Sequence, residues 1–314
     1  MSDFSLKLFS GTSHPELAKA IAKELHITLG QIQISRFACG EIFVKPLETV
    51  RGCDVFVLQT STSRVNEELM ELFIMLDALK RSFASRVHLI IPHYGYARQD
   101  RVNTAREPIS AKLVADLISA AGADHVITIS LHSDQEQGFF DFPVDNLSPR
   151  KLFVDYLTQK KLKNIVIVSP DVGGAKEAKR FADLMNADLA IIHKSRPAQN
   201  VSEVSHVVGN VEGRVCILYD DMVDTAGSIC NAKQALLKFG ASDEMYVVAT
   251  HAVFSSPASA RLSESGFAEV VVTDTIPLSQ DKMFPALKVL SVASLLAHTV
   301  QNVHEAKSVS GLWA

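Results

Sequence analysis

The chain contains 314 residues, of which 47% are hydrophobic and 21% charged, and its formal net charge is −4. This length and composition supply enough apolar material for two domains with buried cores, which excludes a largely disordered protein. The slight acidic excess argues against a nucleic-acid-binding protein, because such proteins usually carry an overall or local basic excess.

The N-terminus lacks the basic and apolar regions of a secretory signal, and no apolar run approaches the roughly 20 residues needed to cross a bilayer. The cysteines lie far apart, with no C-x-x-C pair and no histidine at metal-finger spacing: Cys39, Cys53, Cys216 and Cys230. This spacing predicts free thiols. We therefore expect a cytoplasmic protein with no membrane partner.

Short apolar runs rich in β-branched residues alternate with segments of helical period, a pattern typical of parallel sheets flanked by helices. The predicted strands are 6–10, 31–37, 54–59, 87–92, 125–130, 164–169, 188–193, 214–220, 245–250 and 269–273. The predicted helices include 66–81, 109–121, 175–185, 226–239 and 255–265, the second introduced by Pro108 at its first-turn position. Ten strands exceed one doubly wound sheet, so we predict an α/β protein with two similar halves, each a mainly parallel sheet flanked by helices.

The segment at 142–149 contains two prolines and no helical period, which makes it the best candidate for a junction. We place the boundary near residue 148, with an N-terminal domain at 1–148 and a C-terminal domain at 149–314. Ligands of open parallel sheets bind beyond the carboxyl ends of the strands. Because the polar motifs follow predicted strands, we expect the chemistry to gather at one rim.

The most informative motif reads Tyr-Asp-Asp-Met-Val-Asp-Thr-Ala-Gly-Ser at 219–228, directly behind an apolar run. The carboxylates of Asp220 and Asp221 are suited to accept hydrogen bonds from vicinal hydroxyls. The backbone N–H groups of the following turn, at the positive end of a helix, favour a phosphate monoester. An alternative is that the acids merely cap the next helix. The acid pair favours a sugar-phosphate site, whose phosphate contacts would be Asp224, Thr225, Ala226, Gly227 and Ser228.

This motif resembles the phosphoribosyl-diphosphate loop of the type I phosphoribosyltransferase fold. Four further stretches narrow the resemblance to the class I ribose-phosphate pyrophosphokinases: 37–41, 94–101, 131–147 and 169–174. The resemblance runs from the strand at residue 6 to Leu312. It implies two phosphoribosyltransferase-like domains, with the C-terminal helix near 291–304 packed on the first.

The resemblance implies transfer of the diphosphoryl group of ATP to the C1 hydroxyl of ribose 5-phosphate, with Mg²⁺ as cofactor. It also implies a homohexamer built from dimers. The metal contacts of the family correspond to His132 and Asp171 of this chain. The acid that usually precedes the Leu-His pair is replaced by Ser130, which removes one carboxylate that would help to orient the metal.

The catalytic cations of the family occupy a loop with the pattern Lys-Arg-Arg-Pro. This chain has Lys194 and Arg196 at the first and third basic positions, with Ser195 between them and His193 in front in place of the usual acid. The resemblance therefore implies Lys194 and Arg196 as the catalytic pair. It also implies a contact from Arg196 to ribose 5-phosphate.

The nucleotide contacts implied by the resemblance fall on two segments, of which the first comes from a neighbouring subunit in the family. Phe37 is suited to stack on a purine and Glu41 to accept from its exocyclic amine. Cys39 stands where the family has an aspartate, and Val102 replaces a frequent lysine. The full set is Phe37, Cys39, Gly40, Glu41, Arg98, Gln99 and Arg101.

Two other functions fit part of this pattern. A phosphoribosyltransferase that glycosylates a base would share the 219–228 motif, but it needs one α/β domain with a small hood and leaves the second half unexplained. A catalytically inert subunit that restrains active synthetases would explain the departures at Cys39, Val102, Ser130 and Ser195. Such relatives typically carry an insertion near the catalytic loop, and the spacing from Lys194 to Asp220 shows none.

Overall fold

The computed structural model describes the backbone of residues 4–198 and 201–312; the side chains of residues 194–205 lie outside this description. The chain divides into two compact units. The first comprises Met1–Ser148, Thr275–Pro277 and Ser291–Ala314, and the second Pro149–Asp274 and Leu278–Leu290. Among the described residues, no helix combines the length and the apolar character needed to cross a membrane.

The regular elements alternate between strands and helices along most of the chain. The strands are β1 Leu6–Ser10, β2 Ile32–Arg36, β3 Ile42–Pro46, β4 Asp54–Leu58, β5 Arg86–Ile91, β6 His125–Ile129, β7 Val144–Leu147, β8 Ile165–Ser169, β9 Asp188–Ala198, β10 Val201–Val208, β11 Val215–Val223, β12 Met245–Ala252, β13 Glu269–Thr273 and β14 Leu287–Leu290. The helices are α1 Pro15–Glu24, α2 Val65–Arg81, α3 Ser110–Ala121, α4 Arg150–Gln159, α5 Ala175–Leu184, α6 Gly227–Lys238, α7 Ala258–Glu264 and α8 Ala293–His304.

The first unit is built on a five-stranded sheet in the order β1-β4-β5-β6-β7, with every pair parallel. Every residue of β4 and β6 is buried, as expected for parallel strands covered on both faces. The antiparallel hairpin β2–β3 packs on α2, and α8 packs on α1. Because these strands are parallel, the segments that follow β1, β4, β5 and β6 all begin at the carboxyl ends of the strands, on the same side of the sheet.

The second unit contains a seven-stranded sheet in the order β10-β9-β8-β11-β12-β13-β14. All neighbouring pairs are parallel except β10 with β9, which places an antiparallel strand at one edge. The core includes Ile167, Leu218, Val247 and Val271, all fully buried. The segments after β8 and β11 leave the sheet at the same edge, because these two strands are parallel neighbours.

The predicted class, an α/β protein with parallel sheets flanked by helices, is confirmed. Two strands extend well beyond their predicted ends. The prediction ended one strand at His193 and another at Asp220, whereas β9 continues to Ala198 and β11 to Val223. Both extensions run through polar residues that sequence periodicity assigns to loops. Pairing with β10 sustains β9, and pairing with β12 sustains β11 as far as Val223.

Further differences concern short elements and one helix start. The prediction omitted β3, β7, β10 and β14, and β7 lies inside the segment interpreted as a junction. Its residues include Asp145 and Asn146, yet it forms a regular parallel pair with β6. The predicted first-turn position of Pro108 was also wrong, since α3 begins at Ser110 with Ile109 as its N-cap, so Pro108 precedes the cap.

Candidate active site

Two acidic residues lie near the carboxyl end of β11 in the second unit. The parallel pairing of β11 with β8 ends at Leu218, and Asp220 and Asp221 follow while β11 still pairs with β12. The Asp221 N–H donates to Asp220 Oδ1 over 2.9 Å, and the Met222 N–H donates to Asp221 Oδ1 over 2.9 Å. The predicted acid pair therefore lies in the last part of the strand, and hydrogen bonds from neighbouring backbone N–H groups orient both carboxylates.

Asp171 adds a third carboxylate to this edge of the second unit. It follows β8, and its Oδ1 accepts a hydrogen bond from the Gly174 N–H over 3.1 Å. Burial raises the pKa of Asp220 well above its ordinary value, and the negative charges of Asp221 and Asp171 raise it further. The three carboxylates therefore repel one another, and bound hydroxyl donors or a cation would relieve this repulsion.

The 224–228 loop joins β11 to α6. Ala226 is the N-cap of α6, and its φ of 61° lies in the left-handed region, so the helix begins at Gly227, one residue later than predicted. The first N–H groups of a helix have no partner within it, and they stand at the positive end of its dipole. Gly227 and Ser228 supply two such groups. A Cβ at Gly227 would meet only ordinary contacts at 3.5 Å or more, so the ligand-free loop does not require glycine there.

His132 follows β6 in the first unit, on a segment tied to β7. The Ser130 N–H donates to the Leu147 carbonyl over 2.9 Å, and the Leu131 N–H donates to Asn146 Oδ1 over 3.1 Å. A 3₁₀ helix at Asp134–Phe139 follows at once. The two hydrogen bonds hold the backbone before His132, and the 3₁₀ helix holds the backbone after it.

Glu136 is a fully buried acid in this 3₁₀ helix that the sequence analysis did not single out. Its Oε1 accepts the Ser133 N–H over 2.8 Å as part of a capping box, while Oε2 has no hydrogen-bond partner among the described residues. Burial raises its pKa to about 7, with the charge of His132 lowering it and that of Asp100 raising it. The Ser-x-x-Glu spacing was the available sequence signal.

The predicted nucleotide segment at 98–101 follows β5. The Gln99 N–H donates to the Tyr96 carbonyl over 2.8 Å, and Gln99 Oε1 accepts from Ser110 Oγ at the start of α3. Arg98 and Gln99 are exposed, and Arg101 is 74% exposed, with its Nε donating to Asn103 Oδ1 over 3.2 Å. The backbone is thus anchored while the cationic side chains face solvent.

The other predicted nucleotide segment, 37–41, is the turn of the β2–β3 hairpin. The Phe37 N–H donates to the Glu41 carbonyl, and the Gly40 N–H donates to the Phe37 carbonyl, with φ of Gly40 at 95°. Phe37 is 55% exposed, and its ring lies edge-to-face with the Phe43 ring, with centroids 5.7 Å apart. Cys39 is an exposed free thiol. An exposed aromatic ring on a defined turn is available to stack on a planar ligand.

The predicted catalytic residues Lys194 and Arg196 lie on β9 by their backbone, but their side chains fall outside the described residues. The second unit brings together Asp171, Asp220 and Asp221, and the 224–228 loop follows on the same strand. Among the described residues, these three carboxylates included, no group of three or more His, Cys, Asp and Glu side chains has an arrangement that could hold a metal ion by itself.

Comparisons with known proteins agree with one another and cover nearly the whole chain. A family model described as the N-terminal domain of ribose phosphate pyrophosphokinase matches residues 6–122, and one described as the phosphoribosyl synthetase-associated domain matches residues 197–314. A ribose-phosphate pyrophosphokinase of Clostridium perfringens is 48% identical over 312 residues, covering 98% of each chain. One of Synechococcus elongatus is 50% identical over 98% of this chain and 93% of its own. The crystal structure of phosphoribosylpyrophosphate synthetase from Mycobacterium smegmatis matches with a TM-score of 0.91 and 48% identity, covering 96% of this chain and 99% of that one.

Proposed function

The chain belongs to the ribose-phosphate pyrophosphokinase family, and we infer that it transfers the diphosphoryl group of ATP to the C1 hydroxyl of ribose 5-phosphate. The products are 5-phosphoribosyl 1-diphosphate and AMP. The observation that carries this conclusion is the near-half identity to ribose-phosphate pyrophosphokinases over 98% of the chain.

Ribose 5-phosphate is assigned to the carboxyl end of β11. Asp220 and Asp221 accept hydrogen bonds from the 2- and 3-hydroxyls of the sugar, which offsets the burial and the carboxylate repulsion that together raise the pKa of Asp220. The 5-phosphate lies against the 224–228 loop, where backbone N–H groups and the hydroxyls of Thr225 and Ser228 donate to its oxygens. With the sugar bound in this way, its C1 hydroxyl would lie near the carboxyl end of β11, from which it attacks the β-phosphorus of ATP.

ATP is assigned to the two exposed segments of the first unit, with the 37–41 turn supplied by a neighbouring subunit. Phe37 stacks on the base and Glu41 accepts from its amine, while Arg98, Gln99 and Arg101 bind the nucleotide from the other side. Gly40 gives the turn its left-handed residue. Cys39 is a weak hydrogen-bond partner, so it adds little to base selection.

Mg²⁺ is the proposed cofactor, contacted by His132 and Asp171. The carboxylate of Asp171 suits Mg²⁺, which prefers oxygen ligands and usually takes one or two carboxylates together with substrate phosphates and water, and the imidazole of His132 would contact the ion through a bound water. Asp171 is exposed, and its negative charge acts on Asp220, so a cation bound at Asp171 would reduce the repulsion between these two carboxylates. When bound, the metal neutralises charge on the phosphate oxygens of the nucleotide.

The catalytic step is assigned to Lys194 and Arg196, which bear the charge of the diphosphoryl group as it moves from AMP to the sugar; Arg196 also contacts ribose 5-phosphate. Phosphoryl transfer needs little covalent help, so positioning and charge stabilisation supply most of the rate. The hexamer built from dimers and the cytoplasmic location stay predictions, as does the division into domains at 1–148 and 149–314.

The test is to incubate the purified chain with ATP, Mg²⁺ and ribose 5-phosphate and to separate the nucleotides. We expect AMP in proportion to sugar consumed and no AMP when the sugar is omitted. If AMP appears only after another synthetase is added, the chain is a regulatory subunit. If AMP never forms but phosphoribosyl diphosphate is consumed with a free base, the chain is a phosphoribosyltransferase.

A further inference from the structure

A guanidinium group from a neighbouring helix donates a hydrogen bond to the backbone of the 224–228 loop. Arg261 lies on α7, and its Nη1 donates to the Thr225 carbonyl oxygen over 3.0 Å. The same Nη1 lies 3.5 Å from the position that a Cβ on Gly227 would take. The guanidinium of Arg261 therefore borders the loop at both Thr225 and Gly227.

This bond determines the orientation of one peptide plane in the loop. In a trans peptide the carbonyl and the following N–H point in opposite directions. Because the Thr225 carbonyl is directed toward Arg261, the Ala226 N–H is directed away from it. Fixing the carbonyl on one side thus presents a hydrogen-bond donor on the other side, where an anion can be bound.

The loop needs such support because Ala226 adopts a conformation that residues with a side chain seldom adopt. Its φ is 61°, in the left-handed region. A strained residue keeps this conformation only when its surroundings hold it. The hydrogen bond from Arg261 acts on the peptide immediately before Ala226, so it supports the strained conformation directly.

The helix that carries Arg261 is itself anchored beside α6. Ala258 and Leu262 of α7 are fully buried, and the two helices pack together. Cys230 of α6 donates to the Arg261 carbonyl through a long Sγ contact of 3.8 Å. The guanidinium thus extends from a fixed backbone, and its planar group of five donors suits it to hold a carbonyl in one direction.

Charge supports the same role. The described acids at this edge include Asp171, Asp220 and Asp221, whose combined field disfavours a phosphate. A permanent positive charge at the outer side of the loop offsets part of this field, since a guanidinium stays charged at any physiological pH.

We propose that Arg261 is a positioning residue for ribose 5-phosphate, holding the Thr225–Ala226 peptide so that the Ala226 N–H faces the 5-phosphate. This inference rests on the proposed function for the place of the phosphate. Arg261 acts through the loop backbone and not on the reacting atoms. Its removal therefore weakens binding of the sugar phosphate and leaves binding of the nucleotide unaffected.

The experiment compares Arg261→Met with the matched control Arg180→Met. Both changes remove an exposed arginine from a helix of the second unit, but Arg180 pairs with Glu177 on α5. We expect Arg261→Met to raise the KM for ribose 5-phosphate roughly tenfold, the effect of losing a charge-assisted hydrogen bond. The KM for ATP should stay as in the control. An unchanged KM for ribose 5-phosphate, or an equal rise in both constants, overturns the proposal.

Two further measurements distinguish positioning from simple loss of stability. Guanidinium chloride should restore ribose 5-phosphate affinity to Arg261→Ala, whereas the same concentration of sodium chloride should not. Arg261→Lys keeps the charge without the planar fork and should show an intermediate KM. If Arg261→Met does not fold, the proposal is tested with Arg261→Lys alone. A wild-type KM for ribose 5-phosphate in Arg261→Lys then contradicts the proposal.

Calorimetric titration separates this inference from the proposed function. Ribose 5-phosphate is titrated into each variant in the presence of Mg²⁺ and a non-hydrolysable ATP analogue. If the wild type binds the sugar phosphate but forms no AMP, and Arg261→Met binds more weakly, the role of Arg261 stands while the proposed reaction fails. If AMP forms and Arg261→Met binds like Arg180→Met, the reaction stands and the role of Arg261 fails.

Discussion

Replacing Glu136 with glutamine should make the stability of the protein less dependent on pH. The acid is fully buried beside His132, its Oε2 has no hydrogen-bond partner in the described part of the chain, and burial raises its pKa from the ordinary 4.5 to about 7. A raised folded-state pKa means that the unfolded chain releases this proton more readily. The contribution of Glu136 to the free energy of unfolding is therefore greatest below pH 4.5 and declines as the pH rises toward 7.

The size of the effect follows from the shift. A difference of one pKa unit corresponds to about 1.4 kcal/mol, so the buried carboxyl costs on the order of 3 kcal/mol above pH 7. Glutamine keeps an oxygen for the Ser133 N–H and never ionises. Glu136→Gln should match the wild type near pH 4.5 and exceed its unfolding free energy by about 3 kcal/mol at pH 8.

Urea denaturation at pH 5, 6, 7 and 8 measures this difference. Glu24→Gln, which alters an exposed glutamate of the same unit, is the control and should show no such trend. Infrared spectra of the folded protein at pH 6 provide a second measurement, since the protonated carboxyl band should be weaker in Glu136→Gln than in the wild type, with the contribution of Asp220, whose pKa is also raised, remaining in both. A stability difference that is the same at pH 5 and pH 8 would refute the reasoning.

Three further outcomes are expected. Gly227→Val should raise the KM for ribose 5-phosphate far more than that for ATP, because a side chain fits the ligand-free loop but blocks phosphate; initial rates showing equal rises would remove the loop assignment. Burial lowers the pKa of His88, despite its hydrogen bond to Asp54, so stability that is present above pH 6.5 should be lost as the pH falls through the folded-state pKa. Urea denaturation of Glu136→Gln, with and without His88→Gln, measures the free energy of unfolding as a function of pH. The added His88→Gln change should reduce the loss of stability below pH 6.5, and an equal loss in both proteins would contradict this prediction. Replacing Lys194 and Arg196 together with methionine should lower kcat on the order of 10³-fold, and undiminished turnover would exclude them as the catalytic pair.

The central strands of both sheets were predictable because their apolar runs are uninterrupted. The edge strand β1 and the central strand β13 have the predicted bounds, and the remaining central strands differ at their ends. The missed strands lack this signal. β7 reads Val-Asp-Asn-Leu between prolines, and its pairing with β6 is a tertiary contact that local sequence does not encode.

The candidate site was predictable to the extent that its residues form contiguous motifs. Asp220 and the 224–228 loop could be identified because acids, small residues and hydroxyls follow one apolar run. The assignments of individual residues to ligands stay predictions. The left-handed conformation of Ala226 was not foreseen, because sequence alone suggests glycine for such a position and Gly227 stands beside it.

Arg261 and Glu136 show why other parts of the site escaped prediction. Arg261 is 36 residues from Thr225 in sequence, and only the packing of α7 beside α6 brings them together. Glu136 lies in a polar run that normally indicates a solvated turn, and its burial depends on the surrounding fold. Long-range packing sets both the contact of Arg261 and the pKa of Glu136.

The most direct test of the proposed reaction is a ³¹P NMR spectrum of the products formed from ATP, ribose 5-phosphate and Mg²⁺. The account predicts AMP and a sugar carrying two coupled phosphorus atoms at C1, in equal amounts, with the 5-phosphate signal retained. The account would be contradicted by the appearance of ADP together with a sugar that carries a single phosphate at C1. It would also be contradicted by an unchanged spectrum from a mixture of intact ATP, ribose 5-phosphate and Mg²⁺.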